Sequence, residues 1–176
     1  MSYNILYLFV EGMDDERFFE SVIKPVFKKN YDYIEVRKYA QKTKKYIFNL
    51  LKTIKSMKNS YIYFSDINDT PCITLKKQEI LKIYKNIDED RIVVVIKEIE
   101  SWYLAGLDDA TCRGFGITGF DNTDDITKGR FKSLWRRSER FDSEIDFIQE
   151  ILKYFDIETA KRKNKSFRYF VEKYDP

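Results

Sequence analysis

The chain has 176 residues, 43% of them hydrophobic and 35% charged, with a net charge of +3. That length suits one domain with a small appendage, and the composition describes a soluble globular protein. With no histidine and only two cysteines, Cys72 and Cys112, a four-ligand structural zinc site is excluded, and so are Ser-His-Asp and Cys-His catalytic groups.

Both cysteines are expected to be buried as small hydrophobes. Any proton transfer must then use a carboxylate, a lysine, a tyrosine or a metal-bound water. With 29 Asp and Glu, a hard, oxygen-liking ion such as Mg2+ or Mn2+ is the natural cofactor. No apolar run is long enough to span a membrane, and the N-terminus lacks the marks of a signal peptide. A cytoplasmic location is expected by default.

In chain order, "YNILYLFV" (3–10) reads as a strand, nearly continuously apolar as in a central strand covered on both faces. It delivers Glu11 at its end. "MDDERFFESVIK" follows as a helix with Phe18, Phe19, Val22 and Ile23 on one stripe and acids in its first turn, where the helix dipole favours them. Pro25 is expected to end or kink it. "YDYIEVRKY" (31–39) alternates, as an edge strand does. "TKKYIFNLLKTIKSM" is helical, with Tyr46, Ile47, Leu50, Leu51, Ile54 and Met57 at helical spacing. "SYIYFSD" (60–66) is a strand ending at Asp66, with Asn68 and Asp69 just beyond. "TLKKQEILKIYKN" gives a helix with Leu75, Ile80, Leu81 and Tyr84 on its apolar stripe. "DRIVVVIKE" (90–98) is a second continuously apolar, central-type strand running into Glu98 and Glu100. The alternation predicts a parallel sheet wrapped by helices with right-handed crossovers.

A helix over "IESWYLAGLDD" comes next, its Trp102 and Tyr103 expected in the core. The stretch from 111 to 143 reads as a long irregular or short-helical insertion. Its "GFGITG" fits a dinucleotide pattern, but no strand precedes it and acids follow, so that reading is set aside. Two helices, "DSEIDFIQEILKYF" and "KSFRYFVEKY", close the chain. The α/β core is placed at 1–110, with the insertion and closing helices, 111–176, packing on it.

Ligands of open α/β sheets sit beyond the carboxyl ends of the strands. Three of the four strands end in acids there. Gathered carboxylates repel one another unless a cation sits among them, so neighbouring strand ends would make a metal site economical. Simpler readings stay open: Glu11 as a strand terminator, Asp66 as a turn residue, Glu98 and Glu100 as surface and first-turn residues. From Lys24 to Lys58 there are 11 Lys and Arg against only Asp32 and Glu35, and "KRKNKSFR" (161–168) is a second basic cluster. Such patches either follow a phosphate backbone or are solvated helix faces.

"FVEGMDDERFF" followed by "YFSDIND" resembles the two signature segments of the toprim fold, shared by topoisomerases, primases and several nucleases. In that family a Glu follows strand one and an Asp-x-Asp pair follows strand three. Glu11 and Asp66 match; Asn68 stands where the second Asp would be, with Asp69 one step later. "EIESWYLAG" is similar to a Glu-x-Trp-x-Leu-Ala segment of small toprim-like proteins related to the nuclease half of the overcoming-lysogenization-defect proteins. Those often carry a further acid where this chain has Gly106. "TKGRFKSL" and "NKSFRYF" resemble that group's C-terminal part more loosely.

The resemblance implies a toprim-like α/β fold and a Mg2+- or Mn2+-dependent phosphoryl-transfer enzyme, a nuclease acting on DNA or RNA. Glu11, Asp66, Asn68 and Asp69 would hold the metal. Glu11, Asp66, Glu100 and Lys128 would serve catalysis, with Glu98 an alternative to Glu100. Lys42, Lys44, Lys45, Lys132, Lys165 and Arg168 would meet nucleic acid. The alternative is a non-catalytic toprim-like module that binds nucleic acid or a partner protein, in a phage-defence or mobile-element system.

Overall fold

A computed structural model describes residues 3–174. It is an α/β chain: a four-stranded parallel sheet flanked by helices, followed by a helical region. The chain forms two compact units, one running to Val94 and the other starting at Val95. The sequence reading put the division at 110, counting the helix after Glu98 with the sheet. That helix instead belongs to the second unit, where Trp102 lies 5.1 Å from the Phe167 ring and stacks on Phe170.

The sheet consists of β1 (Ile5–Val10), β2 (Tyr33–Lys38), β3 (Ser60–Asp66) and β4 (Ile92–Val95) in the spatial order β2-β1-β3-β4. The alternating β2 is an edge strand, as its pattern predicts, and β1 is central. β4 is not central. It is the other edge, although all four of its residues are buried. Burial on both faces makes a strand continuously apolar whether or not a second strand pairs with it, so the pattern alone could not place it. It also ends three residues sooner than its apolar run suggests, because Lys97 turns into the left-handed region at φ 62°.

β1 is covered on both faces, with Leu8, Phe9 and Val10 all buried. Phe9 meets Tyr61 and Tyr63 on one face, where Ile47, Leu51 and Ile54 of α3 (Lys44–Ser56) and Ile80 of α4 (Ile73–Ile83) join the same buried cluster. The opposite face carries Phe64 of β3 against Phe19, ring centroids 4.4 Å apart. Burying side chains of this size contributes about 1.5–3 kcal/mol each. α3 starts where Thr43 accepts a hydrogen bond from the Tyr46 N–H, 3.2 Å. The ends of the apolar stripes are exposed: Tyr46 on α3, Met57 just after it and Leu75 on α4 face solvent, as does Cys72, the residue before α4. Only Cys112 is buried as expected.

Pro25 neither ends nor visibly breaks its helix. α1 (Met13–Phe18) passes into a π-helical turn, Phe19–Ile23, and then α2 (Lys24–Phe27). The wider turn, closed by the Lys24 N–H donating to the Phe19 carbonyl, resets the ladder just before the residue that has no N–H to give.

In the second unit, α5 (Glu100–Ala105) and α6 (Asp109–Gly114) are followed by a stretch that is less irregular than expected, because Lys128–Ser138 form an 11-residue helix, α7. The closing helices number three among the described residues: α8 (Glu144–Lys153), α9 (Ile157–Lys163) and α10 (Lys165–Tyr174). α9 falls inside the basic run, whose charges hide the short apolar stripe. Its start is fixed by Asp156, which accepts from the Thr159 N–H at 2.7 Å. Phe131, Tyr103 and Phe147 make a second aromatic core, with Phe131 5.9 Å from Tyr103 and 5.4 Å from Phe147.

Candidate functional site

The carboxyl edge of the sheet is where the first unit presents its acids. β1 and β3 are adjacent and parallel, with Phe9 opposite Tyr63. Two residues on, Glu11 comes level with Ser65, and Asp66 stands one step further out. Strands in a sheet lie about 4.8 Å apart, so the two acids leave neighbouring strands at one edge. The backbone of Glu11 is held from the other side: its carbonyl accepts from the Ala40 N–H at 3.2 Å, and that of Val10 from Tyr39 at 3.0 Å. Gly12 then opens α1, its N–H donating to the buried Asp15 carboxylate at 3.1 Å.

The alternation of a strand sends successive side chains to opposite faces. Asp66 therefore shares the face of Phe64, and Ser65 that of Tyr63. Glu11 continues the face of Phe9, which is the Tyr63 side, and after burial its charge is the largest influence opposing the ionisation of Tyr39. Tyr39 stacks on Tyr63 at 4.6 Å and donates its hydroxyl proton to the Phe64 carbonyl at 2.9 Å. Tyr63 ionises still less readily, chiefly through burial and then through Tyr39 and Tyr84 beside it. A partly buried tyrosine cluster thus underlies Glu11. No spacing rule flags these rings as neighbours of an acid; only the strand register brings Tyr39 beside Glu11.

Glu11 and Asp66 are half-buried, with Asp66 Oδ1 out of solvent, while Asn68 and Asp69 are exposed in the following loop. Asn68 takes φ 50°. Asn, like Asp, adopts this left-handed conformation more readily than most side chains. The expected gathering of Glu11, Asp66 and Asp69 into one group of three carboxylates is not found: among the described residues no three Asp, Glu or Cys side chains could hold a metal ion together. Two faces of one sheet edge and a turned loop separate them.

Lys42, Lys44 and Lys45 follow directly after Tyr39 and are all exposed. Lys44 and Lys45 open α3, whose first turn holds no acid. Cations there oppose the helix dipole, so folding alone gives no reason for them. The positive end of α3 and its lysines make a field that favours an anion.

The second unit holds the other acids. Glu100, in the first turn of α5, is only 4% exposed and lies 3.4 Å from Lys128 Nζ. The Lys128 backbone N–H donates to the Glu98 carboxylate. Glu98, Glu100 and Lys128 are therefore brought together, at the start of α7. This pairing neutralises a buried carboxylate and supplies an acceptor to a helix N-terminus, and it accounts for all three residues in structural terms. Lys132 lies 3.8 Å from Glu144, and Lys165 lies 3.6 Å from Asp124. Arg168 is exposed on α10.

Sequence reasoning missed the most connected polar residues of this unit. Asn164, 1% exposed, accepts through Oδ1 from the Phe167 N–H and the Ser166 hydroxyl, both 2.9 Å, and donates to Ser101 and Thr123 at 3.3 and 3.2 Å. Ser166 accepts in turn from the Trp102 indole at 2.8 Å. In the sequence Asn164 stands in a basic run and looks solvated. The only hint was a polar residue between two helical segments, at a cap position.

No family model, curated protein or solved structure matches the chain.

Proposed function

We propose that this protein is a divalent-metal-dependent phosphoryl-transfer enzyme, a nuclease acting on DNA or RNA, whose metal site is the edge formed by Glu11 and Asp66. The observation that carries the reading is the register of β1 against β3, which sets the two acids on adjacent parallel strands at the carboxyl edge. The resemblance to toprim proteins points to the same two residues.

The donors suit a hard cation. They are all oxygen: two carboxylates, the Asn68 carboxamide and the Asp69 carboxylate. Mg2+ is commonly held by one or two carboxylates together with substrate phosphates and waters, so the lack of a third gathered carboxylate is compatible with recruitment of the ion by the substrate. When bound, the ion supplies charge for the phosphate and lowers the pKa of a water. The chain's own part is orientation and charge. Backbone hydrogen bonds from Tyr39 and Ala40 fix where Glu11 emerges. The lysines at the start of α3 attract the polyanion.

Incubation of the protein with labelled single- and double-stranded DNA and RNA in Mn2+ tests this. Cleavage that is lost in Glu11→Gln and in Asp66→Asn supports it; equal products from protein and variants, or none, would overturn it. A second reading, a module that binds nucleic acid or a partner protein without cleaving, is favoured by Asn68 and by the absence of a three-carboxylate group among the described residues. It predicts binding that neither metal nor the two substitutions change.

A further inference from the structure

α7 reads Lys-Gly-Arg-Phe-Lys-Ser-Leu-Trp-Arg-Arg-Ser and contains five cations and no acid. The cations divide by chemistry. The two lysines have carboxylate partners, Lys128 at Glu100 and Lys132 at Glu144. The three arginines, Arg130, Arg136 and Arg137, are exposed and have no acidic group within ion-pair distance among the described residues. At 100° per residue Arg130, Ser133, Arg136 and Arg137 share one face with Gly129, while Phe131, Leu134, Trp135 and Ser138 turn inward. Two of the arginines are set against rings, Arg130 at 5.7 Å from Phe120 and Arg136 at 5.9 Å from Trp135, which limits the space they sample.

We infer that this face of α7 is a docking surface for the phosphodiester backbone of nucleic acid, engaged without regard to sequence. The inference rests on the reading of the protein as a nuclease and extends it to a surface carried by the second unit. Three features select the partner. Among the helix residues of this face every charge is positive, in the residue whose planar fork suits phosphate, although Asp124 and Asp125 line the hollow beside Arg130. It has no apolar residue, whereas a protein interface needs a hydrophobic centre and a membrane-lying helix needs an exposed apolar side. It has no Asn or Gln to pair with adenine edges, and Gly129 and Ser133 leave room for the phosphate backbone to approach the arginine forks. From residue 129 to 137 the face is about 12 Å long at 1.5 Å per residue, enough for a few phosphates of one strand.

The test is fluorescence anisotropy of a labelled oligothymidylate and of a labelled duplex, in EDTA, over a series of salt concentrations. A variant with Arg130→Ala, Arg136→Ala and Arg137→Ala is expected to bind at least tenfold more weakly at low salt. For the single strand its slope of log affinity against log salt is expected to be shallower by about 2, since each lost phosphate contact removes about 0.7. The matching triple change to lysine should keep most of the slope, which separates charge from misfolding. No binding by the unaltered protein, binding by the alanine variant with an unchanged slope, or equal loss in the lysine variant would overturn the inference. Because EDTA removes the metal, the result is independent of cleavage: binding by this face without Mn2+-dependent cleavage overturns only the nuclease reading, and cleavage with an unchanged slope overturns only the surface.

Discussion

Asn68 and Gly106 are two residues whose places are constrained by local geometry. Asn68 sits at φ 50° in an exposed loop. Asp shares some of Asn's tolerance for that conformation, so Asn68→Asp should fold normally and bind Mn2+ more tightly, by about tenfold if the added charge contributes about 1.4 kcal/mol; titration calorimetry of the two proteins measures it. At Gly106 a Cβ would lie 2.4–2.6 Å from carbons of the Phe155 ring. That ring is fixed against Phe167 at 5.7 Å, and the Gly106 carbonyl accepts from the Asp156 N–H at 3.0 Å. Gly106→Ala should therefore destabilise by about 1–3 kcal/mol, the range for overpacking, read as a lower denaturant midpoint. Cys72 and Cys112 show what residue type alone leaves open: one is exposed before α4, the other buried within α6.

At the scale of elements, periodicity makes α3, α8 and α10 legible, because each buries one face against a core and its sequence must repeat accordingly, while β1 and β3 are legible as apolar runs buried on both faces. What stayed illegible has a common cause: it depends on partners distant in the chain. β4 is an edge strand that reads as central, α9 is masked by its cations, and α7 is preceded by acids that look like loop. The caps behave as local chemistry requires. Asp156 accepts from Thr159, both from its side chain and its N–H, and its carboxyl is held below the usual carboxylate range. A depressed acid stabilises the fold above its unfolded pKa, and that contribution is lost as pH falls through the folded value. Asp156→Ala should cost about 1 kcal/mol at neutral pH and show a smaller loss of stability on acidification; denaturation at neutral and acid pH compares the two. Asn164→Ala strips partners from Ser101, Thr123, Ser166 and the Phe167 N–H together. Leaving several buried polar groups unmet should destabilise by about 3 kcal/mol or more, with hydrogen exchange rising first in α10.

At the scale of the whole molecule, the α/β class and the parallel sheet were readable because alternating apolar runs admit few arrangements. The site was readable in part. Glu11 and Asp66 do leave adjacent strands, but the alternation of side chains and the turn at Asn68 keep them from forming the three-carboxylate group that the order of acids suggested. The arginine face of α7 is not legible in the sequence, because only the structure separates the lysines paired to Glu100 and Glu144 from the exposed arginines. Among the described residues no helix is long and apolar enough to cross a membrane.

The buried tyrosines predict a property of the folded chain as a unit. Tyr39, Tyr61 and Tyr63 are all held above the usual phenol range, in each case first by burial. Their protonated forms stabilise the fold fully below about pH 10, the ordinary value for tyrosine, and that stability is lost as pH rises further. The protein is expected to unfold cooperatively in alkali, with part of its tyrosinate absorbance appearing only on unfolding.

The metal edge is most directly tested by calorimetric titration of Mn2+ into the protein and into Glu11→Gln and Asp66→Asn. A single saturable site of micromolar affinity, present in the unaltered chain and lost in both variants, is the predicted result. Equal binding in all three, or no binding at millimolar Mn2+, would contradict it.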